Sequence, residues 1–142
     1  MLRALALAAL ALERAHAFGD VRELNDETFD SVVDGSAHVL VEFYKPDCGH
    51  CQTMEPEFYK TAEALEFESD VILARVDTEE SPKIGKRFAI DGHPIFRWFA
   101  KGTTTDDKFY FVHYSGRMAN TFLKMIGERT GSEYPPLEIE VS

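Results

Sequence analysis

The chain has very little cysteine, and that scarcity narrows its chemistry more than any other feature. Two cysteines in 142 residues are too few for a disulfide-stapled scaffold. They are also too few for a four-cysteine zinc site, and no His-x3-5-His pair follows to complete a mixed one. Basic charge is short as well. Fifteen Lys and Arg stand against 25 Asp and Glu, a net charge of −10, which argues against nucleic acid as a partner. There is no glycine-rich phosphate cradle. Past the first seventeen residues, no apolar run is long enough to span a bilayer.

The remainder is that of a folded domain. A hydrophobic content of 44% with 28% charged residues fits a soluble globular protein, and the length suits one domain with a sizeable core. `MLRALALAALALERAHA` stands apart: Arg3 precedes an unbroken apolar run from Ala4 to Leu12, then Ala15-His16-Ala17 offers small residues for cleavage. Residues 1–17 are therefore expected to be a secretory signal peptide. Its removal would leave a net charge of −11. Residues 18–131 are expected to form the domain, and the acidic, proline-containing 132–142 a tail or linker. The tail carries no Lys-Asp-Glu-Leu type retention signal, which leaves luminal residence and export both open.

Along the domain, `VREL` reads as a short edge strand, with Asp26 expected to cap a brief helix through Phe29 and Val33. `HVLVEFY` (38–44) and `DVILARVD` (70–77) are apolar runs without clean alternation, the pattern of strands covered on both faces. Lys45-Pro46-Asp47 breaks the first of these, and a helix follows to about Phe67. Ser81-Pro82 is an N-cap and first-turn pair for a short helix. `PIFRWFA` and `KFYFVHY` read as paired strands, and Phe122, Met125 and Ile126 line a closing helix ended by Gly131. The order βαβαβαββα predicts an α/β fold, a mixed central sheet with helices on both faces.

Both cysteines fall in `VEFYKPDCGHCQTMEPEF`, at 48 and 51, where a strand gives way to a helix. That spacing puts two sulfurs on the first helical turn, close enough to bridge, and the helix N-terminus favours a thiolate on Cys48. Cys48 is then the attacking sulfur, and Cys51, one turn on and more buried, resolves the mixed disulfide. His50, when protonated, adds positive charge beside the thiolate. Haem attachment would require a histidine where Gln52 stands. A purely structural bridge is the remaining competitor, although closing a two-residue gap restrains little chain entropy.

`FYKPDCGHCQTMEPEF` resembles the active-site stretch of a protein disulfide isomerase domain, usually F-Y-A-P-W-C-G-H-C-K-x-x-x-P. The similarity continues through `LARVDTEES`, `DGHPIFRWF` and `YSGRMANTFLKMIGERTG`, and covers about residues 20 to 131. It implies a thioredoxin-like fold and a Cys48-Gly49-His50-Cys51 redox site needing no cofactor beyond the dithiol. It implies that Glu42 is a buried carboxylate that takes the proton from Cys51. The family's usual lysine partner is here Arg75, which cannot release its proton, so Glu42 is expected to stay ionised more firmly than usual. The resemblance also implies a cis Pro94 facing the cysteines, with a backbone that binds extended substrates. His93 before it departs from the family and would set a second titratable ring near Cys48. Arg117 would swing toward Cys51 and lower its pKa.

Asp47 replaces the family's tryptophan. A carboxylate there opposes the Cys48 thiolate and removes an apolar contact for unfolded chains. The resemblance implies a thiol–disulfide oxidoreductase of the secretory pathway, in the endoplasmic reticulum lumen or secreted. Its substrates would be folding secretory proteins, and glutathione or an upstream thiol oxidase would recycle it. The alternatives are a non-catalytic adaptor of the same fold, for which Asp47 is the argument, and a reductase that keeps disulfides open.

Overall fold

Nine segments carry the fold in the computed structural model, which describes residues 20–103, 109–111 and 119–138. In chain order they are β1 (Val21–Leu24), α1 (Phe29–Val32), β2 (His38–Tyr44), α2 (Gly49–Ala64) and β3 (Val71–Asp77). Then come α3 (Pro82–Arg87), β4 (Ile95–Phe99), β5 (Phe109–Phe111) and α4 (Ala119–Thr130). This is the order expected from the sequence. The expected signal peptide and Arg117 lie outside the described residues.

The strands form one sheet in the order β1-β3-β2-β4-β5. β1, β3 and β2 run parallel, while β4 and β5 are antiparallel to their neighbours. β2 therefore lies at the centre, covered on both faces, which is why its seven residues include five that are buried in succession. Side chains alternate between faces. Val39, Val41 and Phe43 join Phe29, Ile84 and Phe88 in the core beneath α1 and α3. Leu40 joins Phe58, Phe96, Trp98 and Phe122 in the core beneath α2 and α4. Glu42 follows Leu40 by two residues and so faces α2. Arg75 follows Leu73, and Glu23 follows Val21, in the same way.

Asp26 does not cap α1, contrary to expectation. The residue at that N-cap is Thr28, whose side chain makes no capping bond. Asp26 instead accepts the N–H of Ile84 at 2.9 Å and of Lys83 at 3.4 Å, capping α3 from across the structure. Ser81 occupies the α3 N-cap without using its hydroxyl, because Asp26 already holds that turn's donors.

The segment after α4, expected to be a tail or linker, is held against that helix as far as Leu137. The amide of Asn120 donates to the carbonyl of Leu137 at 3.2 Å and accepts its N–H at 2.7 Å. Close approach at Gly127 permits this, since a Cβ there would sit 2.6 Å from the carbonyl oxygen of Ser132.

Candidate active site

The central strand β2 ends at Tyr44, and Lys45-Pro46-Asp47 turns the chain into α2. Two bonds fix that turn: the Cys48 N–H reaches the Lys45 carbonyl at 3.3 Å, and the Gln52 side chain donates to the Pro46 carbonyl at 2.9 Å. Cys48 is the N-cap of α2, and the N–H of Cys51 is aimed at its sulfur, 3.2 Å away. Cys48 and Cys51 are joined as a disulfide. When the bond opens, the N–H groups of the first turn and the helix dipole favour negative charge on Cys48. Cys51 is 1% exposed while Cys48 is partly exposed, so a substrate sulfur reaches Cys48. Asp47, Gly49 and His50 are exposed around it.

The loop before β4 closes the other side. The His93–Pro94 peptide is cis, and the carbonyl oxygen of His93 lies 3.7 Å from the Cys48 sulfur. It is this carbonyl, not the ring, that meets the sulfur. The ring shares a 2.7 Å hydrogen bond with the Thr78 hydroxyl. Burial, with the Lys45 ammonium, holds the His93 pKa below its ordinary 6.5, against Asp77 and Asp47. The imidazole is therefore neutral at pH 7 and adds no cation beside Cys48.

Beneath α2 lies a charged cluster built around the buried pair Glu42 and Arg75. Glu42 is fully buried, and one of its oxygens accepts the Arg75 Nε–H at 3.0 Å. Its other oxygen has no partner among the described residues. Arg75 also reaches Glu23 at 3.3 Å and Glu55 at 3.4 Å through Nη1, and its guanidinium lies 3.8 Å over the Tyr44 ring. The Tyr44 hydroxyl donates to Glu23 at 3.1 Å. Burial lifts the Glu42 pKa from 4.5 to about 7, and Arg75 offsets this only in part. Arg75 thus does not bring Glu42 back to the ordinary carboxylate range. One cation is divided among three carboxylates, and desolvation prevails.

Glu55 stands four residues after Cys51, on the same face of α2, so this cluster sits below the cysteine turn. Glu23, Glu55, Tyr44 and Thr78 were not singled out from the sequence. Only Glu55 left a signal there, its helical spacing from Cys51.

Residues 20–124 match the family described as Thioredoxin. This chain belongs to that family. The thioredoxin domain is 34% identical over 110 residues to a probable protein disulfide-isomerase A6 of Medicago sativa, covering 77% of this chain and 29% of that protein. It is 41% identical over 97 residues to protein disulfide-isomerase A4 of Rattus norvegicus, covering 64% of this chain and 15% of that one. The chain thus spans less than a third of the length of these relatives. Among solved structures, the first thioredoxin domain of mouse protein disulfide-isomerase A4 superposes with a TM-score of 0.63 at 26% identity, covering 87% of this chain and 86% of that one. Fold and family resemblance together support a thiol–disulfide oxidoreductase.

Asp47 stands exposed next to Cys48 in the chain, and its effect is measurable. In the reduced protein, Asp47→Trp and the isosteric Asp47→Asn should both speed alkylation of Cys48 at pH 7, by about threefold at low salt. The gain should shrink at high ionic strength. Rates equal to wild type in both variants would remove the electrostatic role assigned to Asp47.

Proposed function

We propose that this thioredoxin domain exchanges disulfides with folding proteins of the secretory pathway, through Cys48 and Cys51. The observation that carries the reading is the sulfur of Cys48 at the head of α2, with the Cys51 N–H aimed at it and the cis-Pro94 loop beside it. Starting from the disulfide, a substrate thiolate attacks Cys48. The Cys48–Cys51 bond breaks, and Cys51 leaves as a thiolate that takes a proton, for which the protonated Glu42 is the donor. A second substrate thiolate then attacks the mixed disulfide. The substrate departs with its new disulfide and Cys48 departs as a thiolate, so two electrons have passed to the protein. Running the steps in reverse, Glu42 accepts the proton of Cys51. A carboxyl poised near neutrality serves both directions.

His93 and Pro94 supply the backbone against which an extended substrate lies, and Asp47, Gly49 and His50 border that surface. Arg117 is assigned the tuning of Cys51. Glutathione disulfide or an upstream thiol oxidase would restore the bridge, so no cofactor beyond the dithiol is needed. The expected signal peptide supports action in the endoplasmic reticulum lumen or outside the cell. The oxidised protein, mixed with a reduced peptide bearing two cysteines, should yield one peptide disulfide for every two protein thiols that appear. Persistence of both starting materials would refute the reading.

A further inference from the structure

Three carboxylates meet one guanidinium below the cysteine turn, and the geometry apportions them unequally. Glu23 and Glu55 both take Nη1, while Glu42 holds only Nε, through one oxygen. With all three ionised the group would carry two uncompensated negative charges, one of them on a fully buried side chain. Glu23 and Glu55 are about half exposed and keep part of their hydration. The least costly place for a proton is therefore Glu42.

We propose that Glu55, one helical turn below Cys51, is a positioning residue: by drawing the outer arm of Arg75 it keeps Glu42 a proton carrier rather than a fixed ion-pair partner. The inference rests on the proposed proton exchange between Glu42 and Cys51. Glu23 acts in the same sense from β1, fastened by the Tyr44 hydroxyl. The charged groups that bear on Glu42 are Arg75 of β3, Glu55 of α2 and Glu23 of β1; Tyr44 of β2 acts on Glu23 and Arg75, and Asp77 of β3 acts on Glu23. The register partner of Glu42 on β4 is the apolar Phe96. Both Glu55 and Glu23 raise the Glu42 pKa, Glu55 the more.

The test is a carboxyl-carbon NMR titration of Glu42 in the oxidised full chain, as wild type, Glu55→Gln and Glu23→Gln. Glu55→Gln should lower the Glu42 midpoint by roughly half a pH unit or more, and Glu23→Gln by less. Both side chains are partly exposed, so neither change threatens the fold. An unmoved midpoint in Glu55→Gln overturns the proposal. A second readout separates it from the functional reading: the pH profile of Cys51 attack on a mixed disulfide formed at Cys48. Its acid limb should move with the midpoint in Glu55→Gln, and in Glu42→Gln it should give way to a limb at the higher pH where the Cys51 thiol itself ionises. A limb left at the wild-type pH in Glu42→Gln would instead sink the proton-exchange role, on which Glu55 would have nothing to act.

Discussion

Cys48→Ser should abolish disulfide transfer to the dithiol peptide, with residual turnover at least a thousandfold below wild type. A serine oxygen can neither hold the disulfide nor leave as a stabilised anion at neutral pH. Cys51→Ser should behave differently. It retains the exposed nucleophile at the head of α2, so attack on a substrate disulfide proceeds, but no internal sulfur releases the product. Long-lived mixed disulfides at Cys48 should accumulate and be visible by mass. The asymmetry follows from burial, since Cys48 is partly exposed and Cys51 is not. Equal loss of both steps in the two variants would contradict the division of labour. Neither substitution should unfold the domain, because the bridge closes the smallest of loops and the cores on both faces of the sheet are independent of it.

Arg75→Met should be the most destabilising single change among the site residues, and its cost should depend on pH. Methionine fills much of the volume but leaves Glu42 buried without a cation. Removing one partner of such a pair costs about 3 to 5 kcal/mol when the remaining group stays charged. In the wild type, the folded-state pKa of Glu42 lies above its unfolded value of 4.5, at about 7. The folded form thus holds the proton more tightly, and this group's contribution to stability falls as pH rises from 4.5 to 7. Without Arg75 the folded-state pKa rises further, and the decline continues above pH 7. The difference between wild type and variant should therefore grow by at least about 1 kcal/mol between pH 5.5 and pH 9, as read by urea unfolding of both oxidised proteins. A cost that is the same at both pH values would show that Glu42 is not the group Arg75 compensates.

Much of this architecture is legible in the chain because its strands are apolar runs of suitable length. `HVLVEFY` and `VILARVD` appear as β2 and β3 within a residue of their expected ends. Glu42 announced itself as an acid in an otherwise apolar strand, and the central position of β2 removes any possibility of its facing water. What escaped the sequence depends on contacts between distant segments. Asp26 caps a helix 58 residues away, and no local pattern identifies that partner. Glu23 and Glu55 meet Arg75 only because β1 pairs with β3 while α2 crosses above them. The His93 backbone lies beside Cys48, but side-chain direction in a loop is set by its neighbours. Thr78 takes the ring and leaves the carbonyl for Cys48.

The central claim is that Cys48 and Cys51 form a pair tuned to exchange, and one equilibrium tests it. The oxidised and reduced fractions should be measured by thiol mass-tagging in glutathione buffers, poised near the secretory lumen at about −180 to −210 mV. Coexistence of the two forms across that range is the predicted result. A pair that stays wholly disulfide-bonded throughout would contradict it, and would make Cys48–Cys51 a structural bridge or the resting form of a strong reductant.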